Sequence, residues 1–505
     1  MGKLFGTDGV RGIANEKLSC MLAFQLGQAA AKVLTNEVHQ AKILIGKDTR
    51  ISGDMLESAL IAGICSAGAE ACTLGVIPTS AVAHLTRHYE ADAGAVISAS
   101  HNTVEYNGIK FFNNKGYKLA DAIEEEIERL VLEGGVGPLP TGLGVGRRVR
   151  LKNAPREYAD FLVESSPVRM DGIKVVLDCA NGAASALAGE VFTRLGAQVY
   201  AHYNMPDGTN INDNCGSTHP ANLQILVNEY GADVGLAFDG DADRLIAVDE
   251  FGRIIDGDRI MAICAMDMKE RGCLAKDTLV ATVMSNLGME LSLKARGIQL
   301  VKTGVGDRYV LEEMLASGYN FGGEQSGHLI FLDHNTTGDG MLSGIQLLSV
   351  MKRRDKSLSD LANAVEILPQ VLVNAKVSDD RKFDYDKDEE ILSEIARLEA
   401  QMAQHQQQID NINKLSHDMR NHLATLAAMG GSKEAADYIA ALTHRFAPVA
   451  VRKISGCPVL DVLLSQKMDE CSRVGASLIP CISQEAIGAL CALSGPDLCT
   501  LYGNL

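Results

Sequence analysis

One unit recurs along the chain up to about residue 365: a short apolar strand, a loop of glycine and small polar residues, and an amphipathic helix. The polar loops that follow apolar strands are GKDTR at 46–50, SASHN at 98–102, DCANG at 178–182, DGDADR at 239–244 and GGEQSGH at 322–328. This repetition predicts an α/β fold. Because ligand sites in open α/β sheets gather at the carboxyl ends of strands, we expect several of these loops to converge on one cleft between domains.

The length of 505 residues is too great for one ordinary core and predicts about three to five domains. The glycine- and proline-rich stretch GGVGPLPTGLGVG at 134–146 marks the clearest boundary, and softer boundaries lie near 250 and 368. We therefore predict three consecutive α/β domains at 1–150, 151–252 and 253–367. A short segment at 368–402 and an α-helical C-terminal segment at 403–505 complete the expected organisation.

The composition changes from residue 391 onward. Apolar residues, with His405 as the one polar member, recur at alternating spacings of four and three: Ile391, Ile395, Leu398, Met402, His405, Ile409 and Ile412. Such a heptad stripe predicts an exposed or self-associating helix that continues into residues 415–429. A homodimer through these C-terminal helices is therefore one expectation.

The charge balance and the cysteines exclude several classes of protein. Lys and Arg number 47 against 64 Asp and Glu, and the net charge of −17 repels nucleic acid and anionic membranes. The 12 cysteines lack CxxC spacing, and no hydrophobic signal segment follows Met1. The apolar stretch at 60–78 is interrupted by Glu70, which argues against a membrane span. We expect a cytoplasmic protein with reduced thiols, and an anionic substrate would need a local basic pocket.

The loop DGDADR lies between the apolar runs VGLAF and LIAVD. In an extended loop the carboxylates of Asp239, Asp241 and Asp243 can turn towards one point, and three oxygen ligands of this kind suit a hard cation such as Mg²⁺. Without a cation their charges would repel. The alternative is a solvated acidic turn, as aspartate-rich loops often are.

The loop SASHN follows the apolar strand AVI, so Ser100 lies near a junction of strand and loop. A serine there can expose its hydroxyl, and a phosphoryl group on that hydroxyl would need a cation and basic neighbours to balance its charge. The alternative is a loop whose Ser and Asn side chains only bind their own backbone.

The third loop, GGEQSGH, carries Glu324, Ser326 and His328 at alternate positions. In extended backbone these side chains would meet one ligand face, and such a row of donors and acceptors suits the hydroxyl groups of a sugar. Glycine-rich hairpins also carry polar alternation for solubility alone.

Seven motifs taken together resemble the phosphoglucosamine mutases of the α-D-phosphohexomutase superfamily. They occur in the family's order over roughly residues 1–400: FGTDGVRG at 5–12, GKDTRISG at 46–53, ISASHN at 97–102, YNGIKFF at 106–112, DGDADR at 239–244, KTGVGDRYV at 302–310 and GEQSGH at 323–328. The last motif, with Gln325, and the first favour the glucosamine enzymes. The phosphomannomutases and phosphoglucomutases of the same superfamily are the alternative.

The resemblance implies three α/β domains and a smaller fourth domain around a central cleft. It implies a phosphoserine at Ser100 and a Mg²⁺ ion bound by that phosphate with Asp239, Asp241 and Asp243. The phosphoserine would donate its phosphoryl group to glucosamine 6-phosphate, the 1,6-bisphosphate would reorient, and glucosamine 1-phosphate would leave once Ser100 regains a phosphoryl group.

The resemblance also implies roles for residues around this centre. Arg11, Lys110 and Arg244 match basic active-site positions, with Lys110 in proton transfer and both arginines stabilising phosphoryl charge. Glu324, Ser326 and His328 would bind the sugar hydroxyls. The substrate would be a phosphosugar of cell-wall amino-sugar synthesis.

Two departures from the family pattern stand out. Thr103 follows SASHN where the family usually has proline, so that loop is expected to be less rigid. The phosphate-binding loop of the fourth domain, of the form R-x-S-G-T-E-P, occurs nowhere in the sequence. Residues 368–402 thus resemble a truncated fourth domain, and weak substrate binding with slow turnover is expected.

A second resemblance begins where the fourth domain would continue. KLSHDMRNHLATL at 414–426 resembles the phosphoacceptor helix of sensor histidine kinases, with His417 as the acceptor, Asp418 as the neighbouring acid or base and Asn421 as an orienting group. Residues 455–478 resemble the next helix and the start of the kinase ATP-binding domain. A non-catalytic fusion that carries a dimerisation module is the alternative to an enzyme.

Overall fold

The computed structural model describes residues 4–6, 8–34 and 41–370, together with residues 389, 392, 393, 396, 397 and 400. Contacts between Cα atoms divide the chain into a unit Met1–Val371 and a unit Leu372–Leu505, and the three sheets of the described residues lie in the first unit. His417, the helical segment at 403–505 and most of the predicted truncated domain at 368–402 lie outside the described residues.

The first sheet has six strands in the order β1-β5-β4-β2-β3-β6. Strands β2, β3, β4 and β6 are parallel, whereas β5 runs antiparallel to both β1 and β4. In chain order the elements here are β1 (Val10–Ile13), α1 (Cys20–Leu34), β2 (Lys42–Lys47), α2 (Ser52–Ser66), β3 (Glu70–Val76), α3 (Thr79–His88), β4 (Ala93–Ile97), β5 (Tyr106–Asn113), α4 (Asp121–Leu132), β6 (Arg148–Arg150) and α5 (Ala154–Glu164). The parallel pairing of β2 and β4 brings the loops GKDTR and SASHN to the same edge of the sheet.

The second sheet has five strands in the order β11-β10-β9-β7-β8. Its elements are β7 (Lys174–Asp178), α6 (Ala188–Arg194), β8 (Gln198–His202), α7 (Ala221–Tyr230), β9 (Val234–Phe238), β10 (Leu245–Asp249) and β11 (Ile254–Ile255). Every residue of β9 and β10 is buried, and both strands are apolar apart from Asp249 at the end of β10, as suits strands covered on both faces. They pair antiparallel with Phe238 opposite Leu245, so DGDADR is the loop of a buried hairpin.

The third sheet has four strands in the order β13-β12-β14-β15. Its elements are α8 (Gly257–Glu270), β12 (Thr278–Thr282), α9 (Leu287–Lys294), β13 (Gln299–Thr303), α10 (Asp307–Ser317), β14 (Phe321–Gly323), β15 (Leu329–Phe331), α11 (Gly340–Arg354) and α12 (Leu358–Ala362). The antiparallel pair β14 and β15 encloses the GEQSGH loop. The α/β fold predicted from the sequence is confirmed. Within the described residues, no helix is both long and apolar enough for a membrane crossing.

A buried polar network joins helices that lie far apart in the sequence. The hydroxyl of Tyr158, on α5, donates to Asp339 Oδ2 at 2.7 Å and lies 2.8 Å from Ser80 Oγ on α3. Asp339 is the N-cap of α11, since its Oδ1 accepts from the backbone N–H of Leu342 at 3.0 Å. All three side chains are fully buried, so each polar atom depends on its partners in the network.

We expect Tyr158→Phe to destabilise the protein by about 1–3 kcal/mol, because it leaves buried oxygens of Ser80 and Asp339 short of a partner. Thermal unfolding measures the loss. The matched variant Tyr230→Phe removes a hydroxyl from a tyrosine that is 38% exposed, and it should change the melting temperature little. Equal melting temperatures for the two variants would show that the network contributes nothing.

Candidate active site

Ser100 lies in the loop after β4 and is 1% exposed. Its backbone adopts a φ of +52°, in the left-handed region that a serine seldom occupies. The hydroxyl donates a hydrogen bond of 2.6 Å to Asp239 Oδ2, and the Ser100 N–H donates to Ser98 Oγ at 3.0 Å. The loop thus points the Ser100 hydroxyl directly at the DGDADR hairpin.

Two buried side chains from other loops hold the backbone around Ser100. Arg50 donates to the carbonyl oxygens of Ser100 at 3.0 Å, of Asn102 at 2.8 Å and of Thr103. Asn212 Nδ2, from the second sheet's side, donates to the same carbonyls of Ser100 at 2.9 Å and Asn102 at 3.0 Å. Because these contacts give hydrogen-bond donors to the buried carbonyls of Ser100 and Asn102, they can offset the strain of the unusual turn.

Arg50 is itself fixed by a second buried group. Its Nε donates to Asp48 Oδ2 at 2.9 Å, and Ser98 Oγ donates to the same oxygen at 2.6 Å. Burial raises the pKa of Asp48, while Arg50 and Ser98 lower it in part. The GKDTR loop was recognisable as polar from its residues, but no pattern assigned Arg50 a role, and the parallel pairing of β2 with β4 is what brings it to Ser100.

The three aspartates of the hairpin form one buried cluster. Asp239, Asp241 and Asp243 are 1%, 0% and 5% exposed, and each offers a carboxylate oxygen within 4.8 Å of the others. Burial, Asp243 and Asp241 together raise the pKa of Asp239 well above its usual range. Asp241 Oδ1 and Asp243 Oδ1 are buried and accept no hydrogen bond from the described residues. Oxygens left in this way fit a divalent cation of the hard class.

Cationic side chains surround this cluster. Lys110, on β5, is 3% exposed, and its Nζ lies 3.4 Å from Asp241 Oδ2 and 2.9 Å from Asp8 Oδ2. Burial opposes the charge on Lys110, but Asp8 and Asp241 outweigh it and raise the pKa of the ammonium. Arg11 pairs with Asp8, and Arg244 Nε lies 3.9 Å from Asp243 Oδ1. The acidic centre therefore has the basic neighbours that an anionic ligand would require.

The GEQSGH loop brings His328 to the same centre. His328 is 3% exposed and lies between two carboxylates, with Nδ1 3.5 Å from Asp243 Oδ2 and Nε2 3.3 Å from Asp307 Oδ2. Burial opposes protonation of the ring, but Asp243 and Asp307 outweigh it and raise the pKa of His328. The imidazole thus lies between a carboxylate of the DGDADR hairpin and the carboxylate that begins α10, and its Nε2 also accepts from the Gly338 N–H at 3.1 Å.

Ser326 departs from the row that alternation predicts for Glu324, Ser326 and His328. Glu324 Oε1 accepts from the Gly306 N–H at 3.1 Å, whereas Ser326 is exposed and its Oγ donates to Glu324 Oε2 at 3.4 Å. Extended backbone is interrupted because the Gly327 N–H donates to the Glu324 carbonyl at 3.0 Å and Gly327 has a φ of +93°. The turn separates Ser326 from the face that Glu324 and His328 share.

A cavity of ≈ 450 Å³ opens beside these side chains. Residues from three parts of the chain line it. Asp8, Arg11 and acidic residues of α4 come from the part that forms the first sheet, and Asp243 and Arg244 come from the DGDADR hairpin. Asp307, Glu324 and His328 come from the part that forms the third sheet. Ser326 lies outside this lining. The volume is within the range of small-molecule sites.

We expect Arg50→Lys to loosen the Ser100 loop at a cost of about 2–4 kcal/mol, because a lysine ammonium cannot reach three carbonyls and Asp48 together. Thermal unfolding and amide hydrogen exchange across residues 98–105 measure the effect. Arg169→Lys is the matched control, since Arg169 forms an exposed pair with Asp171. Unchanged exchange in the loop of Arg50→Lys would refute this account of how Ser100 is held.

Comparison with known proteins agrees with this architecture. Three family models match: phosphoglucomutase/phosphomannomutase alpha/beta/alpha domain I at residues 2–135, domain II at 156–252 and domain III at 256–367. A family protein from Burkholderia thailandensis has a similar structure, with a TM-score of 0.64 and 25% identity over 72% of this chain and 79% of that one. A putative phosphomannomutase from Thermus thermophilus shares the fold, with a TM-score of 0.62 and 23% identity over 71% and 82% of the two chains.

Relatives with a higher sequence identity than these structures include phosphoglucosamine mutases. A phosphoglucosamine mutase from Caldanaerobacter subterraneus is 58% identical over 402 residues, which are 80% of this chain and 90% of that protein. One from Clostridium perfringens is 57% identical over 401 residues, 79% of this chain and 90% of that protein. The chain therefore belongs to the phosphoglucomutase/phosphomannomutase family, among the phosphoglucosamine mutases.

Proposed function

We propose that the chain interconverts glucosamine 6-phosphate and glucosamine 1-phosphate through a phosphorylated Ser100 and a 1,6-bisphosphate intermediate. The observation that carries the proposal is the 2.6 Å hydrogen bond from Ser100 Oγ to Asp239, inside a buried cluster of three aspartates. The 58% identity with phosphoglucosamine mutases supports the choice of sugar.

The transfer exchanges one oxygen–phosphorus bond for another. The bond between Ser100 Oγ and phosphorus breaks while a hydroxyl oxygen of the sugar bonds to phosphorus, so one proton passes overall from that hydroxyl to Ser100 Oγ. Lys110 would give Ser100 Oγ its proton and be recharged by the proton that the hydroxyl releases: its ammonium is buried, is kept charged by Asp8 and Asp241, and contacts the same cluster that Ser100 contacts. In the return step the proton movements reverse, which leaves the enzyme unchanged.

Asp239, Asp241 and Asp243, with the Ser100 phosphate, would hold a Mg²⁺ ion. When bound, the ion would withdraw negative charge from the phosphoryl oxygens and so favour transfer. The side chains of Arg11 and Arg244, both in the lining of the cavity, would stabilise the phosphoryl oxygens from the open side. Ser100 is 1% exposed, which limits the access of competing water to its hydroxyl.

The sugar would occupy the cavity, with Glu324 and His328 bonding to its hydroxyl groups. Ser326, exposed and directed to Glu324, would reach the substrate only if the turn at Gly327 reorients. The cavity must also leave room for the 1,6-bisphosphate to reorient. The sequence contains no R-x-S-G-T-E-P loop to hold the distal phosphate of this intermediate. We therefore expect a raised KM and a low kcat relative to a mutase that has this loop.

Saturating Mg²⁺ should raise the melting temperature of the wild-type protein, because a ligand at 100 times its Kd stabilises by about 2.7 kcal/mol. Asp241→Asn should abolish most of this rise, since it removes one negative charge and replaces one carboxylate oxygen with an amide nitrogen, which does not bind a cation. Asp213→Asn, at an exposed position, is the matched control and should keep the full rise. An equal rise in Asp241→Asn would place the binding of Mg²⁺ elsewhere.

Turnover tests the function itself. With Mg²⁺ and a hexose 1,6-bisphosphate primer, the protein should convert glucosamine 6-phosphate faster than the mannose or glucose analogues. Ser100→Ala should lose activity by at least about a thousandfold, as removal of a nucleophile does. The exposed Ser58→Ala should retain it. Activity that survives Ser100→Ala would refute the phosphoserine route, and a preference for mannose or glucose phosphates would refute the proposed substrate.

A further inference from the structure

One lysine outside the residues discussed so far connects two walls of the cavity. Lys118 Nζ lies 3.0 Å from Asp8 Oδ1 and 2.5 Å from Asp307 Oδ2. Asp8 precedes β1 on the first sheet's side, whereas Asp307 begins α10 on the third sheet's side, and both line the cavity. A single ammonium thus joins two carboxylates that belong to different domains.

Each of these carboxylates also holds residues of the proposed active site. Asp8 Oδ2 accepts from Lys110 Nζ at 2.9 Å and pairs with Arg11. Asp307 Oδ2 lies 3.3 Å from His328 Nε2. The bridge therefore continues from the basic side chains of the first domain to the imidazole that contacts Asp243.

The backbone on both sides of the bridge is well supported. Lys118 pairs with the fully buried Phe112 in an isolated β-bridge, which ties it to β5. Asp307 follows Gly306, whose N–H donates to Glu324 Oε1 at 3.1 Å. Loss of the ammonium leaves the carboxylates of Asp8 and Asp307 facing each other without a cation between them, so they repel each other.

We propose that Lys118 is a positioning residue that holds the first and third domains together at the cavity by bridging Asp8 and Asp307. This rests on the proposed function only for its effect on turnover. The bridge keeps Lys110 and Arg11 opposite His328, so its loss displaces groups that must act on the same phosphosugar. A displacement near 1 Å in such a site costs up to about a hundredfold in rate.

Lys118→Met tests the bridge in the full-length protein. We expect kcat to fall about 10- to 100-fold with KM changed only a few-fold, because the groups that bind ground-state substrate remain present. Lys118→Arg, which keeps the charge, should recover most of the rate. The matched control is Lys269→Met. Lys269 Nζ lies 3.1 Å from Asp277 Oδ2, and neither residue lines the cavity, so this variant should behave like wild type.

Amide hydrogen exchange without substrate gives a readout that does not depend on activity. In Lys118→Met, exchange should rise both in peptides that cover residues 4–12 and in peptides that cover residues 304–310. Asp307→Asn is the second variant should Lys118→Met fail to fold, and the same two regions should respond. The double variant should lose no more rate than the worse single variant, since both substitutions break one bridge.

Unchanged exchange in both regions, with kcat within twofold of wild type, would overturn the proposal. Faster exchange confined to the region around Lys118 would also overturn it, since a local structural role predicts no response across the cavity. If the wild-type protein turns over no phosphohexose, the proposed function is refuted instead. Hydrogen exchange alone would then decide whether Lys118 holds the two domains together.

Discussion

The repulsion among three buried carboxylates is the constraint on which the rest of the site depends. Asp239, Asp241 and Asp243 lie on one short hairpin loop, so the chain cannot move them apart. Partners come from other domains: Thr79 Oγ1 donates to Asp241 Oδ2 at 2.6 Å, and His328 contacts Asp243. Two carboxylate oxygens still lack a hydrogen bond among the described residues, which is the structural reason to expect a cation there. A phosphoryl group on Ser100 would enter a centre already arranged around that charge.

Local patterns were sufficient to predict the fold class and the members of this cluster. Each apolar strand and the polar loop that follows it are adjacent in the sequence, and strands β9 and β10 directly flank DGDADR. The fold class and the three aspartates could therefore be predicted without any knowledge of long-range contacts. Arg50, Asn212 and Lys118 could not be found in this way because the active-site contacts that give them a role join residues 50 or more positions apart, as the 112-residue separation of Asn212 and Ser100 illustrates. Only the strand order and the docking of the sheets bring such residues together.

The prediction for GEQSGH failed in one respect for a local reason. Alternation places side chains on one face only in extended backbone, and Gly327, with its positive φ, turns the chain between Ser326 and His328. Glu324 and His328 thus share the cavity, while Ser326 does not. His328 also has contacts that sugar binding alone would not require. Its two carboxylate partners connect it to the aspartate cluster and to the Lys118 bridge.

The relatives match about four fifths of the chain, and the sequence lacks the fourth-domain phosphate loop, so chemistry at Ser100 and productive binding of substrate are separate questions. The measurement that tests the chemistry most directly is transfer of a labelled phosphoryl group from a hexose 1,6-bisphosphate to the protein in a single turnover, followed by peptide mapping. We predict that the label appears on Ser100 and that it passes into sugar phosphate when unlabelled glucosamine 6-phosphate is added. Label on another residue, or label on Ser100 that no phosphosugar removes, would contradict it.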